Sequence, residues 1–150
     1  MSSNELEQWV SSGWLKRHTP TAKETAELLG VADRDLADCA APGLSKDWRF
    51  GIAYNAALQL AHAALAAAGY ETPKGESHHY RAIQSLAHTI GADAAFLRRF
   101  EAFRKKRNAG VYERAGLIGP DEANDMAAMA KDLRGRVEQW LKANHPRLVP

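Results

Sequence analysis

In the stretch RKKRNAGVYER, residues 104–114, an arginine and an asparagine stand side by side at Arg107 and Asn108, and a tyrosine follows at Tyr112. Arginine presents a planar fork of donors that fits a phosphate, and asparagine offers both a donor and an acceptor. A tyrosine ring stacks on a base or donates a hydrogen bond. With Arg104 one turn earlier, these residues read as a binding site for RNA or a nucleotide. Charge around them is dense, with Arg98, Arg99, Arg104, Lys105, Lys106 and Arg107 against Glu101. The same run also reads as a solvated helix end, with one arginine reaching to water and the tyrosine packed as a lid.

What positions these groups is a helix that starts near Asp93. Phe96, Phe100, Phe103 and Arg107 fall at i, i+4, i+7 and i+11, so the arginine continues the core-facing stripe. A guanidinium there must reach water, pair with a carboxylate, or face a cleft or subunit interface. Asn108 and Gly110 are good terminators, which predicts that the helix ends just after Arg107 and that Tyr112 folds back beside it. Were the helix to continue, about 100° per residue would carry Tyr112 well round the axis from Arg107.

The rest of the chain is helical in pattern, and no stretch alternates as a strand does. Leu6, Trp9, Val10 and Trp14 give a first helix its apolar face, with Asn4 and Glu7 as a capping signature and an end near Thr19 and Pro20. A second helix runs from Pro20 or Thr21 to just before Pro42, with Gly30 as a point of division. Ser45 caps a third that is apolar over most of its circumference, closed by Gly69 and therefore central in a bundle. Ser77 caps a fourth that ends at Gly91, and a sixth follows Pro120 with Met126, Met129, Leu133, Val137, Trp140 and Leu141 on its inner stripe. Short connections favour antiparallel neighbours. The expected fold is all-α, an antiparallel up-and-down bundle of five to six helices, with 1–150 as one domain, 1–44 as N-terminal helices and 45–145 as the core bundle.

The order AYNAALQLAHAALAAAGY, GESHHYRAIQSLA and FRKKRNAGVYE resembles the HEPN (higher eukaryotes and prokaryotes nucleotide-binding) domain family over roughly residues 45–145. That family is built as a bundle of four or five antiparallel helices. Its motif is an arginine, a spacer of four to six residues and a histidine, often with a polar residue right after the arginine. Arg107, Asn108 and Tyr112 occupy those places, with tyrosine where the family has histidine. The resemblance implies a homodimer in which two motifs face one cleft. It also implies an RNA or nucleotide ligand, and a nucleotidyltransferase or antitoxin partner in a toxin–antitoxin setting. Active members resemble metal-independent ribonucleases. A histidine near pKa 6.5 takes a proton from a ribose hydroxyl, whereas a tyrosine near 10 stays protonated at neutral pH, so binding survives the substitution more readily than cleavage. No catalytic residue is assigned, and no cofactor is implied.

Composition narrows the alternatives. The chain has 150 residues, 45% hydrophobic and 25% charged, with a net charge of +2, so a general polyanion-binding surface is not expected. Its single cysteine, Cys39, cannot form an internal disulfide and fits a reducing compartment. The first ten residues carry acids and no long apolar run, which predicts no leader, and the apolar run near 56–68 is too short to span a membrane. The expected location is cytoplasmic. His78 and His79 are adjacent and diverge by about 100° on a helix, so no metal site is expected from them. His62 and His88 read as packing residues within helices.

Two other functional classes remain open. TAKETAELLGVADRDLADC matches a helix-turn-helix in Ala26, Gly30 and Leu36, which would make a DNA binder, although Asp33, Asp35 and Asp38 against Arg34 would face phosphates with negative charge. A non-catalytic interaction bundle is the third class, with Trp9 and Trp14 serving as core or as interface.

Overall fold

The computed structural model describes residues 3–75, 78–112 and 118–149, with side chains at 4–75, 78–108 and 118–149. Among these lie six α-helices: α1 Ser3–Ser11, α2 Ala22–Asp38, α3 Lys46–Ala67, α4 His78–Ser85, α5 Ala94–Tyr112 and α6 Pro120–Asn144. The all-α helical bundle is present, with one small addition. Lys16–Arg17 (β1) pairs antiparallel with Tyr70–Glu71 (β2), Lys16 opposite Glu71 and Arg17 opposite Tyr70. Two residues per strand are too few to leave a period-2 signature.

Local chemistry sets most helix ends. The hydroxyls of Thr21 and Ser45 accept from the backbone N–H of Glu24 and Trp48, each at 3.1 Å, and the Asp93 carboxylate accepts from Phe96 N–H at 2.8 Å. Pro120 opens α6, and Glu122 reaches back to accept from Gly119 N–H at 3.0 Å. Gly69, at φ +102°, turns the chain out of α3 as a side chain would resist.

Several expected boundaries move. Because α1 begins at Ser3, Asn4 lies inside it, and Glu7 accepts from the Tyr70 hydroxyl at 2.5 Å and from Arg17 instead of capping. The first helix stops at Ser11, well short of Thr19, so Trp14 lies beyond it and not on its apolar face. Helix α4 stops at Ser85, leaving His88 and Ile90 in the turns that follow, while Ser77 lies outside the described residues. Helix α2 runs unbroken through Gly30, so the turn that a helix-turn-helix needs is absent from that segment. One exposed glycine costs a helix about 1 kcal/mol, too little to divide α2 while Leu29 and Ala32 on either side are buried.

Helix α3 is central, packing chiefly on α6 and α2 and also on α4 and α5. Its alanines, from Ala53 to Ala67, are buried on nearly every side and let the neighbouring helices approach. From α6 come Met126, Met129, Leu133, Val137 and Leu141, and from α5 come Phe96 and Phe100. Burial of one such large side chain contributes roughly 1.5–3 kcal/mol. A second cluster of Leu6, Leu15, Leu65 and Tyr70 holds α1 and the strand pair against the end of α3. Trp9 and Trp14 belong to that end: their rings meet at 5.1 Å, Trp9 also packs on His88 at 5.1 Å, and Arg81 lies 5.2 Å from the Trp14 ring. Of the two readings for these tryptophans, the structure supports packing.

Candidate functional site

The site begins on the core-facing stripe of α5. Phe96 and Phe100 are buried, Phe103 packs beside them, and Arg107 follows one turn later. The expected helix break after Arg107 does not occur, because α5 continues to Tyr112. Asparagine and glycine each lower helix propensity by no more than about 1 kcal/mol, and neither ends a helix unaided. Five residues at about 100° each then carry the Tyr112 backbone position roughly 140° from Arg107. The Tyr112 side chain lies outside the described residues.

Arg107 therefore takes its neighbours from other helices. Its guanidinium carbon is 5.5 Å from the Tyr54 ring centroid, a cation–π arrangement. It lines a cavity of about 450 Å³ with Asp35 of α2 and Asp47, Trp48, Gly51, Ile52 and Asn55 of α3. The Arg107 Nε is buried and finds no hydrogen-bond acceptor among the described residues. Trp48 stands 68% exposed, and Leu44 nearby in sequence is 37% exposed.

Asp35 is only 6% exposed, and its carboxylate is held from two sides. Oδ1 accepts from Arg34 Nη2 at 3.1 Å and Nε at 3.3 Å, and Oδ2 accepts from Asn55 Nδ2 at 2.6 Å. The cavity thus joins a buried acceptor, an amide, a guanidinium and an exposed indole.

Two other cations of the stretch are committed elsewhere. Arg104 donates Nε and Nη2 to the two carboxylate oxygens of Glu101, at 2.6 and 2.7 Å, and its guanidinium carbon is 6.0 Å from the Tyr80 ring. Lys106 pairs with Glu122 of α6 at 3.0 Å. Asn108 is half-buried and is not among the residues lining the cavity. Arg107 alone of the described predicted site residues faces the cavity.

Behind Arg107 lies a second polar layer. The Tyr54 hydroxyl is buried without a hydrogen-bond partner among the described residues, and burial pushes the phenol well above its ordinary value while Arg107 pulls it back. The His79 ring sits 6.3 Å from Tyr54 and 4.3 Å from His78, which in turn lies 5.8 Å from His62. Burial first, and the neighbouring His78 second, lower both His62 and His79 to about 4. Such imidazoles are neutral at pH 7 and weakly basic, so they supply packing and hydrogen bonds more readily than proton transfer. Among the described residues no group of three or more His, Cys, Asp or Glu is placed to hold a metal ion, and no helix is long and apolar enough to cross a membrane.

Sequence reasoning missed Asp35, Asn55 and Trp48 as site residues. Asp35 lies three residues after Ala32 and four before Cys39, on the buried stripe of α2. A carboxylate in that register is the signal that could have found it. No family model matches the chain, and no curated protein or solved structure matches it.

Proposed function

We propose that the protein binds RNA or a nucleotide at the Arg107 cavity, as a HEPN-like bundle that forms a homodimer and works beside a nucleotidyltransferase or antitoxin partner. The observation that carries this reading is the Arg107 guanidinium lining one cavity together with the exposed indole of Trp48. A guanidinium next to a ring that stacks suits a nucleotide. Asn108 and Tyr112 lie further along the same helix, turned round its axis from Arg107, and would touch only a ligand that wraps round α5. Binding is the role; cleavage would need a base stronger than imidazoles near pKa 4.

Titration of labelled single-stranded RNA and of ATP against wild type and Arg107→Ala tests the reading. Loss of one charge-assisted hydrogen bond, about 1.5–3 kcal/mol, predicts an affinity drop of roughly tenfold to a hundredfold. Equal affinities would remove the site. The exposed Leu44 and Trp48 favour a second reading, a non-catalytic interaction bundle, for which RNA and ATP fail to bind while Trp48→Ala changes the mass in solution.

A further inference from the structure

We infer that the phosphate backbone of a single-stranded RNA lies along the outer face of α5, on Arg98 and Lys105, apart from the Arg107 cavity. The inference rests on the RNA or nucleotide reading above and selects a strand over a free nucleotide.

The exposed side chains of α5, among those described, are Ala94, Ala95, Arg98, Arg99, Ala102 and Lys105. Arg98 and Lys105 are a heptad apart, so at about 100° per residue they stand within roughly 20° of one line, about 10 Å apart along the axis. The backbone position of Tyr112 continues that line one heptad further. Ala102 lies between the two cations and leaves the helix surface open to close approach. Arg99 stands further round, with its guanidinium carbon 5.9 Å from the Phe103 ring.

Neither Arg98 nor Lys105 makes an ion pair or hydrogen bond among the described residues, and the carboxylates that touch α5 are engaged. Glu101 gives both oxygens to Arg104 at 2.6 and 2.7 Å, Glu122 of α6 pairs with Lys106 at 3.0 Å, and Asp93 caps the helix. Helix α5 carries Arg98, Arg99, Arg104, Lys105, Lys106 and Arg107 against Glu101, in a chain whose net charge is only +2. The remainder of the protein is therefore net negative, and the positive potential is concentrated on this one helix.

What the face lacks decides its occupant. A protein partner needs an apolar anchor at the centre of its contact, and a helix lying on a bilayer needs large apolar side chains on one side. The outer face of α5 offers only alanine; the exposed large hydrophobics among the described residues are Leu44 and Trp48, both outside α5. A phosphate chain needs cations at intervals and small residues between them. A mononucleotide brings phosphate for one of two cations about 10 Å apart, whereas a strand reaches both.

The test is the salt dependence of binding. Fluorescence titrations of an eight-nucleotide single-stranded RNA and of AMP, from 50 to 200 mM salt, compare wild type with Arg98→Gln/Lys105→Gln. Lys23→Gln/Lys131→Gln removes the same charge at exposed positions outside α5. Each phosphate contact on a single strand contributes about 0.7 to the slope of log affinity against log salt. The α5 variant should therefore show a slope shallower by about 1.4 and an RNA affinity roughly tenfold lower at 100 mM salt, with its circular dichroism and its AMP affinity unchanged. The control pair should keep the wild-type slope. RNA binding that depends on Arg107, with a wild-type slope in the α5 variant or an equal change in the control pair, overturns the strand path and leaves the proposed function standing. An equal loss of AMP affinity in the α5 variant also overturns it, by assigning the two cations to a free nucleotide. Self-association that the α5 variant abolishes while RNA affinity stays constant makes the face a contact for the acidic part of a second copy, and overturns it too. Failure of both RNA and AMP to bind wild type overturns this inference and the proposed function together.

Discussion

Arg107 and Tyr54 meet as a cation over an aromatic face, 5.5 Å from guanidinium carbon to ring centroid, and each carries a buried polar atom with no partner among the described residues. An unmet buried donor or acceptor costs about 1–3 kcal/mol, so this contact is a place where the fold gives up stability. The cation–π attraction returns part of it.

Tyr54→Phe keeps the ring and deletes the orphaned hydroxyl. Thermal and urea unfolding should therefore show the variant as stable as wild type or more so, by about 1 kcal/mol. Tyr54→Ala, which empties a core position against Phe100, should cost about 3–5 kcal/mol. A Tyr54→Phe variant destabilised by more than 1 kcal/mol would mean that the hydroxyl has a partner in solution.

Gly30 lies exposed in mid-helix, and a Cβ there meets no atom within 4 Å. Gly30→Ala should raise the unfolding free energy by about 0.5–1 kcal/mol, since alanine favours the helix and restricts the unfolded chain. In a helix-turn-helix the same glycine would serve a turn, and the substitution would destabilise. Equilibrium urea denaturation separates the two by sign.

That glycine illustrates what was legible. Caps located the starts of four helices, because Ser45, Thr21, Asp93 and Pro120 act on their own neighbours through short-range hydrogen bonds and fixed dihedrals. Terminations were harder to read. Gly30 and Asn108 carry weak local preferences that longer-range packing overrides, and α4 ends early where no comparable signal stands. The site was half legible for the same reason. Arg107 announced itself by standing on an apolar stripe, but its cavity is made by Asp35 and Asn55, which are 20 positions apart and meet only when α2 packs on α3.

His62 and His79 make stability depend on acid. Their folded pKa values of about 4 lie below the ordinary 6.5, so between those limits the unfolded chain binds protons that the folded chain refuses. Stability must fall as pH drops from 6.5 towards 4, on the order of 2 kcal/mol for His62 after discounting partial exposure. Urea unfolding at pH 7.0, 5.5 and 4.5 measures the slope, and His62→Gln should flatten it. An unchanged slope in that variant would show that the ring is solvated in the folded protein.

His18 works in the opposite direction, and the two effects together shape the whole profile. Its Nε2 meets Glu24 at 2.7 Å and its Nδ1 meets Glu71 at 2.9 Å, while its backbone N–H donates to Gly69 at 2.9 Å. One ring thereby ties the start of α2 to the strand pair. The hydrogen bond to Glu24 is the main cause that raises its pKa, with partial burial opposing and the charges of both carboxylates adding. A raised folded pKa means that the contribution is complete below the ordinary 6.5 and is lost as pH rises through the higher folded value. His18→Gln should accordingly cost about 1 kcal/mol at pH 6 and much less at pH 8.5, read by urea unfolding at both. A cost equal at the two pH values would mean that the clasp holds without charge. Because His62 and His79 lose stability on the acid side and His18 on the alkaline side, the wild-type unfolding free energy should pass through a maximum near neutrality, and His18→Gln should move that maximum towards higher pH.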